Sequence, residues 1–91
     1  MAAFRDNASV HRYEYNAPEG LSFAEYRDVG DVRAIMHVET PAQAQGRGYA
    51  SKLMGEIVAE ARARGLKLRA SCAFAAAYLK RHPETADVQA P

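Results

Sequence analysis

A glycine-rich segment between a predicted strand and a predicted helix carries the clearest chemical signal. It reads Gln43-Ala44-Gln45-Gly46-Arg47-Gly48-Tyr49-Ala50. Two glycines separated by one residue permit sharp turns and leave backbone amides unshielded by a Cβ atom. The first amides of a helix have no intrahelical partner, and the helix dipole adds positive potential there. The segment therefore predicts a phosphate or diphosphate site, to which Arg47 can add a charged contact.

Two other phosphate-binding patterns fit this segment less well. The dinucleotide fingerprint Gly-x-Gly-x-x-Gly needs a third glycine where the chain has Ser51. The Walker pattern needs Gly-Lys before Ser or Thr, whereas Tyr49 follows Gly48. What matches is Gln-x-x-Gly-x-Gly, from Gln43 to Gly48. The alternative is a plain glycine-rich turn, and the strand–loop–helix context favours the binding site over it.

Three side chains outside this segment are candidates for nucleophilic or acid–base chemistry. Cys72 opens a predicted helix, where the dipole favours a thiolate; the alternative is a small buried apolar residue. His37 and Glu39 share a strand face, so their side chains point the same way. Either is a candidate general base, because histidine exchanges protons near neutral pH and a carboxylate can act through a water. The alternative for each is a strand residue that pairs with a neighbouring arginine.

The elements that must position these residues predict an α+β fold in the order β-β-β-α-β-α. Short turns between the first three strands predict an antiparallel meander, and the later β-α-β unit adds a parallel strand. The predicted strands are Val10–Tyr15, Leu21–Asp28, Val32–Thr40 and Leu66–Arg69, and the predicted helices are Gly48–Arg64 and Ala73–Arg81. On the third strand we expect two faces, one with Val32, Ala34, Met36 and Val38, the other with Ile35, His37 and Glu39.

Length and composition limit the function classes. The chain of 91 residues predicts one domain, residues 1–91, with a core at about 8–85 and a tail at 86–91. A net charge of +1 with dispersed Lys and Arg argues against a nucleic-acid binder. Cys72 is the only cysteine, and no long apolar run stands out, so we expect a cytoplasmic protein without a membrane segment. The histidines have no recognisable metal-ligand spacing.

The Gln43–Gly48 pattern resembles the pyrophosphate-binding motif of the GCN5-related N-acetyltransferases. The flanking residues are similar to the compact YjdJ-type branch of that superfamily; they are Met36-His37-Val38-Glu39-Thr40-Pro41, Ser71-Cys72, Tyr78 and Arg81-His82-Pro83-Glu84. The similarity runs from about Leu21 to Val88. The chain departs from the pattern of that branch at Ala73-Phe74-Ala75. It also has His-Val-Glu at 37–39 where His-Thr-Glu is expected.

The resemblance implies a minimal acyl-CoA N-acyltransferase fold, a mostly antiparallel sheet with a splayed parallel strand pair and helices packed on it. It implies acetyl transfer from acetyl-CoA to a primary amine of a small molecule or protein. The sequence itself leaves a monomer or a weak homodimer open, because an exposed first strand could pair with a second chain. The alternatives are a coenzyme A binding module without efficient turnover and an interaction domain that binds no nucleotide. The resemblance also implies that the edge of one strand pairs with the pantetheine arm of the cofactor.

The resemblance assigns roles to particular residues. The implied catalytic residues are Cys72, Glu39, Tyr78 and His37, with Tyr78 as proton donor to the leaving thiolate. The implied cofactor-binding residues are Val38, Thr40, Gln43, Ala44, Gln45, Gly46, Arg47, Gly48, Tyr49, Ala50, Arg81 and His82. For Tyr78 the alternative is an aromatic core residue. For Arg81 and His82 it is a solvated helix end that complements the dipole.

Overall fold

The computed structural model describes residues 3–91 and contains one five-stranded sheet and two α-helices. The elements are β1 (Phe4–Asn7), β2 (Arg12–Ala17), β3 (Gly20–Val29), β4 (Val32–Glu39), α1 (Tyr49–Arg64), β5 (Lys67–Ala70) and α2 (Ala73–Arg81). Short 3-10 turns occupy Ala8–Val10, Ala42–Ala44 and Pro83–Val88. The strand order is β1-β2-β3-β4-β5, antiparallel except for the parallel β4/β5 pair. The predicted α+β fold with a mixed sheet is confirmed.

The parallel pair separates halfway along β4. Pairing runs from Val32 opposite Lys67 to Ile35 opposite Ala70. The Ser71 N–H donates to the Ile35 carbonyl at 2.9 Å. Beyond that bond α2 begins, and within residues 3–91 no strand pairs with the second half of β4 on this side. The predicted splay is therefore a cleft with an open strand edge on one wall.

Both helices cover the same face of the sheet. An apolar stripe on α1 is fully or nearly buried, and it consists of Leu53, Met54, Ile57, Val58 and Ala61. α2 adds Ala75, Tyr78 and Leu79 to the same core cluster. The helices meet at Gly55, where a Cβ atom would lie 3.4 Å from the Tyr78 hydroxyl oxygen. Helices that touch each other and contact one sheet cannot lie on opposite faces, so the other face is left uncovered.

A bulge in β4 changes the predicted faces of that strand. Glu25 pairs with His37 and Tyr26 with Ile35, so Met36 has no partner on β3. An extra residue of this kind reverses the alternation beyond it. Ile35 is buried before the bulge, whereas His37 is exposed after it. The prediction that Ile35, His37 and Glu39 share one face is wrong, although His37 and Glu39 do share one.

Two terminal segments differ from the prediction. The first strand, β1, was not predicted, and its Phe4 ring stacks on Tyr13 at a centroid distance of 5.5 Å. The segment predicted as a tail folds back on β5 instead. Its Val88 is only 2% exposed, and the Ala90 N–H donates to the Leu68 carbonyl at 2.7 Å.

Among residues 3–91 no helix has the length and apolarity needed to cross a membrane.

A buried arginine at the start of β4 joins strands that are distant in sequence. The Arg33 guanidinium donates to both Asp28 carboxylate oxygens at 2.7 and 2.8 Å and to the Tyr13 hydroxyl at 2.8 Å. It also lies 3.9 Å from the centre of the Tyr26 ring. A buried charge is tolerated only when it is paired and hydrogen-bonded, and Arg33 is both. This network anchors the end of β4 that lies away from the glycine loop.

Glu14 on β2 generates a pH-dependent prediction. Burial by itself would raise the pKa of Glu14, but hydrogen bonds from Asn7, Arg12 and Arg5 outweigh it and lower the pKa to about 2. A carboxylate whose pKa is lower in the folded state stabilises the fold fully at pH values above its ordinary pKa, near 4.5. This stabilisation is lost as the pH falls towards 2. We expect Glu14→Gln to lower the free energy of unfolding at pH 7 by about 2 kcal/mol, allowing for solvent screening by the exposed Arg5.

Urea denaturation between pH 2 and pH 7 tests this expectation. The difference in unfolding free energy between wild type and Glu14→Gln is expected to decrease as the pH falls. Glu56→Gln, which changes an exposed carboxylate on α1, is the control and should leave stability within about 0.5 kcal/mol of wild type. A difference in unfolding free energy between wild type and Glu14→Gln that stays constant across that pH range would contradict the ion-pair explanation.

Candidate functional site

The glycine loop connects the end of β4 to the first turn of α1. Pro41 follows the strand, and a short turn then buries the methyl group of Ala44 completely. Gly46 and Gly48 adopt φ angles of 82° and 79°, in the left-handed region that glycine enters without steric cost. Nothing lies within 4 Å of the position that a Cβ atom would take on either glycine. The loop therefore presents bare backbone towards open space.

The first amides of α1 have no acceptor of their own. The first helical hydrogen bond joins the Lys52 N–H to the Gly48 carbonyl at 3.0 Å. Within residues 3–91, no hydrogen bond engages the N–H groups of Gly46 to Ser51, and no side chain caps the helix. The first turn also holds no acidic residue that could neutralise the dipole. This end of α1 has the donors and the potential that bind an anion.

A cavity of about 210 Å³ lies beside this end of α1. Its lining comes from the end of β4, the glycine loop, the first turn of α1 and the first turn of α2. The lining residues are Thr40, Ala44, Gln45, Gly46, Gly48, Tyr49, Ala50, Ser51 and Phe74. All but Ser51 and Phe74 are among the predicted cofactor-binding residues. Those left outside the lining are Val38, Gln43, Arg47, Arg81 and His82.

A carboxylate from the β2–β3 turn braces the loop. Glu19 accepts a hydrogen bond from the Tyr49 hydroxyl at 2.6 Å and lies 3.3 Å from Nε of Arg47. The Tyr49 hydrogen bond lowers the pKa of Glu19, and the same bond raises the pKa of Tyr49. The next residue, Gly20, leaves no room for a side chain, because a Cβ atom there would lie 2.7 Å from Cγ of Pro41. The turn therefore holds the loop in place from the side.

Polar contacts tie Thr40 into the same arrangement. Its hydroxyl lies 3.0 Å from the Ser22 hydroxyl on β3, and its carbonyl accepts from the Gln45 amide nitrogen at 3.2 Å. Gln43 lies on the other side, with its amide nitrogen 3.4 Å from the Cβ position of Gly20. Gln45 thus ties the loop to the end of β4, and Gln43 lies close to the turn before β3.

His37 and Glu39 form a pair on the uncovered sheet face. Nε2 of His37 lies 3.0 Å from a Glu39 carboxylate oxygen, and the two side chains are 52% and 59% exposed. They follow the Met36 bulge, on the part of β4 whose edge is open. Val38, between them, packs against the core instead. The pair therefore borders the cleft without lining the cavity at the glycine loop.

Cys72 stands at the point where β4 and β5 separate. It follows Ser71, whose amide makes the bond to the Ile35 carbonyl that ends the paired region. Its Sγ accepts the Ala75 N–H at 3.4 Å and so caps α2. The side chain is half-buried against the core cluster. The structure thus gives Cys72 a capping role and places it at the closed end of the cleft.

Tyr78 lies on α2 with its ring buried against α1. Its pKa is raised, first by burial and then by the charge of Glu84. Within residues 3–91 its hydroxyl makes no hydrogen bond, and it lies beside Gly55, one helical turn after Ser51 of the cavity. A phenol in this state keeps its proton at neutral pH and has it free to donate.

Arg81 and His82 lie at the end of α2 away from the cavity. The His82 ring stacks on Tyr78 at a centroid distance of 4.1 Å, and its Nδ1 lies 3.1 Å from a Glu84 carboxylate oxygen. Arg81 ends the helix and is exposed. The cavity instead touches Phe74 in the first turn of α2. Contact of Arg81 and His82 with the adenosine end of a cofactor stays a prediction.

Comparison with known proteins agrees with the geometry of the loop and cleft. The family model described as GCN5-related N-acetyl-transferase matches residues 12–88. The chain belongs to the GCN5-related N-acetyltransferase family. A solution NMR structure of a GCN5-like candidate N-acetyltransferase from Staphylococcus aureus is similar, with 27% sequence identity and a TM-score of 0.69. The match covers 99% of this chain and 91% of that one. Among curated proteins, none matches the chain.

Family membership identifies the protein as an acetyltransferase of the GCN5-related type, a family that generally uses acetyl-CoA. Sequence reasoning missed three residues that shape the site in this family member. Ser51 and Phe74 line the cavity, and Glu19 braces the loop. Helix periodicity places Ser51 in the first turn of α1 and could have found it. No local pattern reveals Phe74 or Glu19, because chain reversals bring them to the loop.

Gly48, which precedes α1, and Gly55, inside α1, provide a matched test of the loop geometry. Gly48→Ala forces a side chain into the left-handed region, and we expect a loss of about 1–2 kcal/mol in the free energy of unfolding. Gly55→Ala lies inside the helix without a positive φ. We expect it to be neutral or to stabilise by up to about 1 kcal/mol. Urea denaturation measures both, and equal stability of Gly48→Ala and wild type would contradict the loop conformation.

Proposed function

We propose that this protein transfers the acetyl group of acetyl-CoA to a primary amine. The observation that carries the proposal is the row of unbonded backbone amides from Gly46 to Ser51, beside a cavity at the positive end of α1. These donors suit the diphosphate of coenzyme A, and the side-chain-free positions at Gly46 and Gly48 allow it to approach closely. Arg47 adds a cation while Glu19 orients its guanidinium group.

The open edge of β4 suits the pantetheine arm. Its amide groups resemble a peptide backbone, so they can pair with the free edge of a strand as an added strand would. The unpaired stretch from Met36 to Thr40 leads from the cavity towards Cys72, where β4 and β5 meet. Thr40, at one end of this edge, would thus be near the diphosphate, and Cys72, beside the other end, would be near the thioester.

The side chains around the cleft supply the proton transfers that the reaction needs. Bound acetyl-CoA supplies the activated acyl group. The His37–Glu39 pair accepts a proton from the acceptor ammonium group, directly or through a water, and leaves a neutral amine. Tyr78 donates its proton to the leaving sulfur, a role supported by its unbonded hydroxyl, which its raised pKa keeps protonated at neutral pH. These roles match the requirements of acyl transfer: a neutral nucleophile and a protonated leaving group.

We assign Cys72 a contact with the thioester without a covalent intermediate, because its sulfur already caps α2 through the Ala75 N–H. Cys72→Ser keeps a capping oxygen and removes the thiol. We expect this variant to retain the transfer rate within a few-fold. A loss of more than a hundredfold in a folded variant would instead indicate transfer through the cysteine.

A coenzyme A binding module without efficient turnover is the second candidate. The observation that favours it is the uncovered sheet face, because no element within residues 3–91 encloses an acceptor beside His37 and Glu39. Release of free thiol from acetyl-CoA in the presence of simple primary amines separates the two functions. Binding of coenzyme A without amine-dependent release would support the module.

Isothermal titration calorimetry with coenzyme A and with pantetheine tests the diphosphate site. Pantetheine lacks the diphosphate, so we expect it to bind at least tenfold more weakly. Arg47→Gln should weaken coenzyme A binding several-fold and leave pantetheine binding unchanged. Arg27→Gln is the control, since Arg27 is an exposed arginine on β3. Equal affinities for the two ligands in the wild type would contradict a diphosphate site.

Tyr78→Phe tests the proton donor, because it deletes only the hydroxyl. Removing a general acid typically costs about 10²- to 10⁴-fold in rate, so we expect a fall of that order in kcat with a small change in KM for acetyl-CoA. The unfolding free energy should change little, because the hydroxyl has no partner within residues 3–91. A variant with undiminished kcat would remove Tyr78 from the mechanism.

A further inference from the structure

His82 lies directly against Tyr78, the side chain assigned above as proton donor. The two rings stack with their centroids 4.1 Å apart and their planes tilted by only 27°. Nδ1 of His82 lies 3.1 Å from a Glu84 carboxylate oxygen. Because a carboxylate only accepts hydrogen bonds, that nitrogen carries a hydrogen and donates it. The imidazole ring therefore contacts a phenol on its face and a carboxylate at its edge.

The backbone holds His82 in this position. Its N–H donates to the Leu79 carbonyl at 3.2 Å, at the end of α2. Its carbonyl accepts from the Thr85 N–H at 2.9 Å and from the Thr85 hydroxyl at 2.7 Å. Thr85 is buried, and Pro83, the residue after His82, has a fixed φ angle. The stack therefore belongs to an ordered turn that follows the helix.

The charged groups around this imidazole leave one counter-ion for it. Glu84 is the carboxylate in contact with the ring. Arg62 of α1 also reaches the turn, but both Asp87 carboxylate oxygens hold its guanidinium at 2.7 Å. Arg62 contacts Glu84 only at the backbone carbonyl, at 3.3 Å. The basic residues Lys80 and Arg81 are exposed at the end of α2. An imidazolium at this position is thus paired with Glu84.

Tyr78 without a neighbouring cation is poorly suited to release its proton. Burial first, and the charge of Glu84 second, raise the pKa of the phenol. Both effects oppose the phenolate, which is the form that remains after proton transfer. A cation against the ring has the opposite effect, because it attracts the negative charge of the phenolate. His82 is the group whose protonation places a cation there.

We propose that His82 is a positioning residue for the proton transfer from Tyr78. Its imidazolium form pairs with Glu84, holds the Tyr78 ring and stabilises the phenolate that remains when the hydroxyl has protonated the leaving sulfur. The proposal rests on the proposed acetyl transfer with Tyr78 as proton donor. It gives His82 a role other than contact with the adenosine end of the cofactor. Histidine changes charge between about pH 5 and pH 8, so the effect is present at low pH and is lost as the pH rises through that range.

The proton-transfer step balances with the groups that are present. The carbon–sulfur bond of the acetyl donor breaks, its electron pair goes to sulfur, and the sulfur takes the phenolic proton of Tyr78. The negative charge passes from sulfur to the Tyr78 oxygen, while His82 keeps both of its ring protons. Solvent then returns a proton to the phenolate.

The ionisation of Tyr78 tests the contact without turnover. NMR of protein labelled with ¹³C at the tyrosine Cζ atoms follows it, and the Tyr78 resonance is assigned by its absence from Tyr78→Phe. His82→Arg keeps a cation that stacks on aromatic rings at every pH, whereas His82→Phe keeps a stacked ring without charge. We expect the acid dissociation constant of Tyr78 to be about tenfold larger in His82→Arg than in His82→Phe. Equal constants in the two folded variants would overturn the proposal and leave acetyl transfer standing.

The pH dependence of turnover is the second measurement. Thiol release from acetyl-CoA with butylamine is compared between wild type and His82→Phe at pH 6 and pH 9, and the general base affects both proteins equally. We expect wild type to be about tenfold faster at pH 6 and nearly equal at pH 9, where histidine is neutral. His82→Arg should be faster than His82→Phe at both pH values. Lys80→Gln, which removes an exposed charge from α2, is the control and should match wild type.

The other outcomes separate this role from the reaction itself. A ratio of wild type to His82→Phe that is the same at both pH values would indicate a purely structural stack and would overturn the proposal. Undiminished turnover in Tyr78→Phe would remove Tyr78 as proton donor and the role of His82 with it. Failure of every amine to release thiol, although coenzyme A binds, would overturn acetyl transfer and the role of His82 together.

Discussion

Backbone amides that have no acceptor within the protein are the constraint on which the site depends. A buried or helix-terminal N–H group needs a partner, and most proteins supply one with a capping side chain. Here Gly48 occupies the capping position and has no side chain to offer. Gly46 and Gly48 adopt left-handed conformations, and both residues line the cavity. The fold thus leaves donors and positive potential for a ligand to satisfy.

One strand links the glycine loop to the proposed reaction site. β4 is held at its start by Arg33, interrupted by the bulge at Met36, and open along its edge from there to its end. The bulge rotates the strand so that Val38 packs on the core while His37 and Glu39 face outwards. Separation of β5 after Ile35 exposes the edge beside them. A single irregularity therefore places general-base candidates and an unpaired edge on the same stretch of chain.

Local sequence patterns were sufficient to predict the helices and strands that have a clear hydrophobic periodicity or are bounded by turn-forming residues. α2 has the predicted bounds, α1 begins one residue later than predicted, and the glycine loop lies between strand and helix as the motif required. The strands could be predicted to within a residue or two, because Pro18 with Gly20 and Gly30 punctuates them. Most residues that line the cavity could be found for the same reason, since they are nearly consecutive in the sequence.

What could not be predicted depends on contacts between distant segments. β1 is only four residues long, and its partner strand supplies its hydrogen bonds and its Phe4–Tyr13 stack. The end of the chain is ordered by the bond from Ala90 to Leu68. A bulge leaves no mark in a sequence whose apolar and polar residues alternate on either side, so the reversal at Met36 was missed. Glu25 gains its neighbours only through the register of the sheet.

The amide resonances of Gly46 to Ser51 during titration with coenzyme A provide the most direct measurement of the central claim. If the unbonded N–H groups at the start of α1 hold the diphosphate, these resonances will move downfield and saturate together, while those in the middle of α1 stay in place. Resonances from Gly46 to Ser51 that do not move at saturating ligand, in a folded protein, would contradict the account.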